Sequence, residues 1–137
     1  MRPVNLFLTE DGVLKLGYYG LATQAECYSI KNWKCDGVRS FAPEVFRGEY
    51  EMKSDVWFLG TTLMELMGIT PYVDSENGCL PTNDDVLMHS VNVEDIQSAQ
   101  LAHFLKKCFR REYKRWSVSK LMTVNGMGWR MMSSIHL

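Results

Sequence analysis

Residues 53–68 decide the fold of this chain, and they read KSDVWFLGTTLMELMG. Apolar residues recur there at the spacing of one helix face, at Val56, Leu59, Leu63, Met64 and Met67. The opposite face is apolar as well, because it carries Trp57, Phe58 and Leu66. A helix that is hydrophobic nearly all round is typical of the centre of a domain. The stretch therefore predicts a buried central helix.

Local signals predict the ends of this helix. Ser54 and Asp55 supply an N-cap and a first-turn acid, and Gly68 is well placed to end the helix. Gly60 stands in the helix interior, where glycine costs about 1 kcal/mol relative to alanine. We therefore expect another segment to approach the helix closely at Gly60.

Length and composition limit the functional classes. The chain has 137 residues, 46% of them hydrophobic and 23% charged, which fits one globular domain. Its net charge of -1 gives no support for nucleic-acid or membrane binding, and no apolar run is long enough to span a membrane. The four cysteines lack metal-ligand spacing, so they predict reduced thiols and a cytoplasmic protein: Cys27, Cys35, Cys79 and Cys108.

Three motifs, in order, surround the predicted helix. Ala42-Pro43-Glu44 precedes it, Asp55-x-Trp57-x-x-Gly60 opens it, and a helical segment ending at Phe109 is followed by Arg115. This order resembles the large lobe of eukaryotic protein kinases, in the style of Ste20-like serine/threonine kinases. The resemblance runs from about residue 2 to residue 124.

The resemblance implies a mostly α version of an α+β family fold. It predicts a partial kinase-like C-lobe over residues 1–124, with one hairpin, an activation-segment-like loop and the central helix, followed by a tail over residues 125–137. The hairpin is expected over Asn5–Leu16, with its turn at Asp11-Gly12. The small lobe and the catalytic loop, with its H-R-D aspartate, are expected to be missing from this chain.

Magnesium binding is where the chain departs from the family pattern. Asn5 matches the family's magnesium-binding asparagine, but Tyr18 stands where the D-F-G motif has its aspartate. A neutral phenol is a poor magnesium ligand. We therefore expect no cofactor for this chain, although ATP and magnesium serve the family, and we predict weak metal binding at Asn5 only.

The remaining candidate residues are regulatory or structural. The loop before Phe41 offers possible phosphorylation sites at Thr23, Tyr28, Ser29 and Ser40. The resemblance predicts a buried ion pair between Glu44 and Arg115, and Asp55 is expected to serve the helix N-terminus. The basic residues near the end of the segment capped by Ser98 predict a solvated face: Lys106, Lys107, Arg110 and Arg111.

Three functional hypotheses follow. The first is a catalytically inactive, pseudokinase-type module in signalling, which binds a protein partner or chaperone through exposed apolar surface. The second is a truncated part of an ATP-dependent serine/threonine kinase whose N-terminal half carries ATP binding and catalysis. The third is an unrelated small helical adaptor.

Overall fold

The computed structural model describes residues 3–17, 41–69, 93 and 96–123. Its regular elements are β1 (Leu6–Leu8), β2 (Leu14–Leu16), α1 (Ser54–Leu66), α2 (Ala99–Cys108) and α3 (Val118–Thr123). Short 3-10 helices lie at Pro3–Asn5, Pro43–Arg47 and Glu112–Lys114. The described part is mostly helical with one hairpin, as the sequence predicts. The predicted tail over residues 125–137 lies outside the described residues.

The predicted hairpin is present. β1 and β2 pair antiparallel, with Leu6 opposite Leu16. The Thr9 amide donates to the Val13 carbonyl at 3.0 Å, which closes the loop between the strands. Gly12 has a φ of 76°, a left-handed conformation that glycine adopts without strain. The Asp-Gly turn signal therefore gives the correct position of the turn.

The predicted central helix is α1, and its buried residues include Val56, Trp57, Phe58, Leu63 and Met64. The expectation of burial all round is wrong at Leu66, which is 40% exposed. The core narrows at this end of the helix, where Met67 is half-buried and Gly68 is exposed. Gly68 has a φ of 71° and ends the helix, as predicted.

The predicted start of α1 needs a correction. Lys53 is the N-cap residue, and Ser54 is the first helical residue. The Ser54 hydroxyl does not cap the helix. It donates a hydrogen bond to the carboxylate of Glu44 at 2.7 Å and accepts one from the Glu51 amide, which lies before the helix, at 3.2 Å. A buried anion thus takes the hydroxyl that the sequence pattern assigns to a cap.

The core lies between α1 and α2. Its main cluster comprises Phe41, Ala42, Val45, Trp57, Phe58, Leu63, Met64, Leu105 and Phe109. The rings of Trp57 and Phe109 meet edge to face, with centroids 5.1 Å apart. A second cluster of Val56, Cys108 and Leu121 connects α3 to the same pair of helices.

Gly60 lies at the contact between α1 and α2. A Cβ atom at this position would be 2.8 Å from Cζ of Phe109 and 3.0 Å from Cβ of Cys108. Carbon atoms do not approach that closely without displacement. The close approach that the sequence predicts is therefore made by the end of α2.

Both later helices begin at a serine. The Ser98 hydroxyl accepts a hydrogen bond from the Leu101 amide at 3.3 Å, and the Ser117 hydroxyl accepts one from the Lys120 amide at 3.2 Å. The first of these caps agrees with the predicted cap at Ser98. Across the described ranges, no helix has both the length and the apolar character that crossing a bilayer requires.

Candidate functional site

The segment Ala42-Pro43-Glu44 forms a buried corner just before α1. Ala42 is fully buried and extended, with φ of -69° and ψ of 149°, the conformation that a following proline favours. Pro43 then begins a 3-10 helix, which Gly48 ends with a φ of 80°. This local geometry places Glu44 inside the core, where it is only 2% exposed.

Arg115 is the partner of Glu44. Nη2 of Arg115 donates to Oε2 of Glu44 at 2.9 Å, and Nη1 donates to Oε1. Arg115 is also 2% exposed, so both charges are removed from water. Two parallel hydrogen bonds between a guanidinium and a carboxylate are the strong form of this interaction.

Backbone carbonyls complete the coordination of the guanidinium. Nη1 of Arg115 donates to the Lys53 carbonyl and Nε donates to the Arg110 carbonyl, both at 2.9 Å. The guanidinium carbon lies 5.0 Å from the centre of the Trp57 ring. Arg115 thus joins the Ala42–Glu44 corner, the start of α1 and the end of α2.

Ser54 and Lys53 also belong to this cluster, although no sequence pattern predicts that they do. Ser54 donates to Glu44, and the Lys53 ammonium lies 3.3 Å from the Glu112 carboxylate. A serine at the start of an apolar helix has the pattern of a cap, so the sequence carries no signal for its contact with Glu44. Among the described residues, no buried side-chain nitrogen or oxygen lacks a hydrogen-bond partner.

The electrostatic state of Glu44 follows from these contacts. Burial raises the pKa of its carboxyl, but the hydrogen bonds and positive charge of Arg115, with help from the Glu44 amide and Ser54, more than offset that effect. The net pKa of Glu44 is lower than its ordinary value. The pair is therefore ionised at neutral pH, and its burial suits a structural role and not contact with a substrate.

The other described site residues lie at the edges of this framework. Asp55 is exposed in the first turn of α1, where its charge is favourable for the helix dipole. Asn5 ends the 3-10 helix before β1 and is half-buried, and its carbonyl accepts the Gly17 amide at 2.8 Å. The 3-10 helix of Asn5 contacts α1.

Several predicted site residues lie outside the described residues. These are Tyr18 and the possible phosphorylation sites Thr23, Tyr28, Ser29 and Ser40. Their roles stay predictions. The described ranges contain no cluster of three or more His, Cys, Asp or Glu side chains suited to a metal ion.

The chemistry of the donor set does not fit magnesium. The residues that the family resemblance assigns to the magnesium positions are Asn5 and Tyr18. Asn5 offers a neutral amide oxygen, and a tyrosine phenol is neutral at pH 7. Magnesium is held in proteins chiefly by carboxylate oxygens together with substrate phosphates. We therefore derive no catalytic step through a metal ion in this chain.

Comparison with known proteins shows similarity to serine/threonine kinases. The chain is 37% identical over 79 residues to serine/threonine-protein kinase Nek9 of Xenopus laevis, an alignment that covers 56% of this chain and 8% of the relative. It is 30% identical over 103 residues to Nek9 of Mus musculus, which covers 73% of this chain and 10% of the relative. MAP3K epsilon protein kinase 1 of Brassica napus is 27% identical over 123 residues, an alignment that covers 84% of this chain and 9% of the relative. The chain spans about a tenth of the length of these relatives.

The family model of the protein kinase domain matches residues 1–125 of this chain. This match covers the corner at Glu44, the central helix and Arg115, and it excludes the alternative of an unrelated helical adaptor. The chain belongs to the protein kinase domain family.

Proposed function

We propose that this kinase-family chain does not transfer phosphate and acts in signalling as a pseudokinase-type module that binds another protein. One observation carries the proposal. The structural pair of Glu44 and Arg115 is intact, whereas Tyr18 occupies the position of the metal-bridging aspartate. The chain therefore keeps the buried ion pair of the kinase C-lobe but lacks the carboxylate that would hold magnesium for phosphoryl transfer.

The energetic reason lies in how phosphoryl transfer is catalysed. Catalysis depends on positioning and on neutralising the charge of the phosphate oxygens, largely by magnesium ions that carboxylates hold in place. Tyr18 and Asn5 together bring no negative charge to that position at pH 7. A metal ion would be held weakly there, so the transition state would lose most of its stabilisation.

Exposed apolar surface supports the binding role. The described hairpin and its flank present large apolar side chains to solvent, with Val4 73%, Phe7 57% and Leu8 63% exposed. Leu14 is paired with Leu8 across the hairpin and is 49% exposed. Contiguous exposed apolar patches on monomers often mark interaction sites. A protein partner or a chaperone would remove this surface from water.

A second candidate function has its own support. The relatives described above are serine/threonine kinases, and Asn5 stands at the family's magnesium-binding asparagine. The chain would then be part of a longer ATP-dependent kinase, in which segments outside residues 1–137 supply ATP binding and catalysis. Tyr18 argues for weak activity in that case as well.

A phosphoryl-transfer assay tests the proposal. The purified chain is incubated with radiolabelled ATP, magnesium and a mixture of serine and threonine peptides, beside a Tyr18→Asp variant. We expect no transfer by the wild-type chain. Transfer above a no-protein control would refute the claim of inactivity, and transfer by the variant alone would identify Tyr18 as the cause of inactivity.

We also propose a cytosolic location, which the free, buried thiol of Cys108 supports.

A further inference from the structure

Trp116 is the centre of a cationic cluster on the surface. Nζ of Lys107 lies 5.2 Å from the ring centroid, and Nζ of Lys120 lies 5.1 Å from it. The His103 ring meets the indole edge to face, with centroids 6.4 Å apart. Trp116 and Lys107 are half-buried, whereas Lys120 and His103 are exposed. We call these four residues the Trp116 cluster.

Two helices build the Trp116 cluster. His103 and Lys107 are four residues apart on α2 and so share one face. Lys120 comes from α3, and Trp116 lies in the connection between the two helices. The Trp116 amide donates to the Lys107 carbonyl at 3.5 Å, which keeps the connection close to the end of α2. The cluster is thus a product of the tertiary structure.

The surrounding segment has a large excess of positive charge. Residues 98–123 contain seven of the 15 lysines and arginines of the chain but only one of its 16 acidic residues, Glu112. Glu112 lies 3.3 Å from Lys53, and Arg115 is committed to Glu44. Glu112 is therefore already paired with Lys53, and the segment has no other acidic side chain to neutralise its lysines.

Aromatic rings take the place of carboxylates as partners of these lysines. Lys107 and Lys120 lie over Trp116, and Lys114 lies 5.5 Å from the centre of the Tyr113 ring. Within the described ranges none of these three ammonium groups forms an ion pair. A ring face orients an ammonium group but does not neutralise it. These ammonium groups therefore have a fixed direction and a positive charge that no carboxylate of the described residues neutralises, so they can attract an anionic ligand.

We propose that the Trp116 cluster binds an acidic peptide segment of a protein partner, with carboxylates placed on Lys107 and Lys120. The proposal rests on the protein-binding role proposed above, and it adds a charged contact surface on α2 and α3 to the apolar surface of the hairpin. It departs from the predicted solvated face only at Lys107, which is half-buried, whereas Lys106, Arg110 and Arg111 are exposed as that prediction has them. The sequence pattern shows the charges of this helix, but it does not show that Lys120 and Trp116 meet them.

The charge of the rest of the chain favours a peptide over a larger polyanion. The chain as a whole has a net charge of -1, so acidic side chains outnumber basic ones outside residues 98–123. Duplex nucleic acid or an anionic bilayer presents negative charge over an extended area, so its binding depends on the charge of the whole chain and not on one patch. A short peptide engages only the surface within about one Debye length, roughly 8 Å at physiological salt.

Fluorescence anisotropy with a fluorescein-labelled hexaglutamate peptide tests the inference on the full chain. The variants Lys107→Gln and Lys120→Gln each remove one charge of the cluster. Lys15→Gln is the matched control, because Lys15 is an exposed lysine on β2 and loses the same charge. We expect each cluster variant to weaken binding about two- to fivefold, the range of one exposed ion pair, and Lys15→Gln to leave it unchanged.

Several outcomes of this experiment would overturn or change the inference. No binding of hexaglutamate, or equal weakening by Lys15→Gln, would overturn the inference. So would equal binding of a hexaglutamine peptide. A DNA duplex or phosphatidylserine vesicles that compete better than hexaglutamate would replace the acidic peptide with another partner class. The result is separable from the phosphoryl-transfer assay, since loss of peptide binding leaves the absence of transfer as it was.

Discussion

Arg115 holds both carboxylate oxygens of Glu44, although 71 residues separate the two in the sequence. The contact fastens the connection after α2 to the corner that precedes α1. The Glu44–Arg115 pair therefore connects distant segments of the described fold, and its loss should lower the stability of all of them together.

Substitution Glu44→Gln should be strongly destabilising. It leaves the buried Arg115 guanidinium without a counter-charge, and breaking a buried pair in this way costs about 3–5 kcal/mol. Glu49→Gln is the matched control, because Glu49 pairs with Arg47 at the surface and such pairs contribute about 0–1 kcal/mol. Urea unfolding followed by circular dichroism measures both. Equal losses in the two variants would show that burial of the pair has no energetic consequence.

The same pair predicts a pH dependence. Because the pKa of Glu44 is lower in the folded chain than the ordinary 4.5, its contribution to stability is complete above that value and is lost as pH falls through the folded pKa. The stability difference between wild type and Glu44→Gln should therefore shrink as pH falls below about 4.5, because protonation then removes the charge in the wild type too. Urea unfolding at a series of pH values measures it, and the surface control Glu49→Gln should stay close to wild type throughout. A Glu44→Gln difference that stays constant between about pH 7 and pH 3 would contradict this linkage.

Gly60→Ala should destabilise the chain despite the better helix propensity of alanine. The added methyl group would lie 2.8 Å from the Phe109 ring, which packs against Trp57 and has little room to move. Overpacking of this kind costs about 1–3 kcal/mol, against a propensity gain of about 1 kcal/mol. Thermal unfolding measures the net effect, and the double variant Gly60→Ala with Phe109→Leu should recover part of the loss if the ring is the obstacle. A stabilised single variant would mean that α2 moves away freely.

Cys108 should resist alkylation in the folded chain. Burial raises the pKa of its thiol to about 12, partly offset by the charge of Arg115, and the side chain is fully buried. The thiolate is the reactive species, so little of it forms at about pH 8. Iodoacetamide labelling with peptide mass spectrometry should show Cys108 modified only in denaturant. Labelling of Cys108 without denaturant would indicate that the contact between α2 and α3 opens readily.

Local patterns are enough to predict the regular elements. The apolar spacing of residues 53–68 indicates α1, and Asp11-Gly12 marks the hairpin turn, because both signals act over a few residues. The start of α1 is harder to predict, since Ser54 is used by Glu44 instead of the helix. Leu66 shows that hydrophobic character alone does not force burial at the edge of a core.

Long-range contacts need either the resemblance or the structure. Nothing local in the sequence connects Glu44 to Arg115, and only the kinase-like motifs indicate that pair. Neither pattern nor resemblance indicates that Lys107 and Lys120 meet at Trp116, because two helices and their connection bring them together. Side chains that converge from separate elements are set by tertiary packing, which periodicity does not encode.

The most direct test of the central claim is a thermal-shift titration of the chain with ATP and magnesium, beside Tyr18→Asp. A ligand at about 100 times its Kd would add roughly 2.7 kcal/mol to stability, a readily measured rise in Tm. We predict no magnesium-dependent shift for the wild-type chain, and a shift confined to Tyr18→Asp would assign the defect to that residue. A magnesium-dependent shift in the wild type would contradict the claim that this kinase-family chain lacks a working metal and nucleotide site.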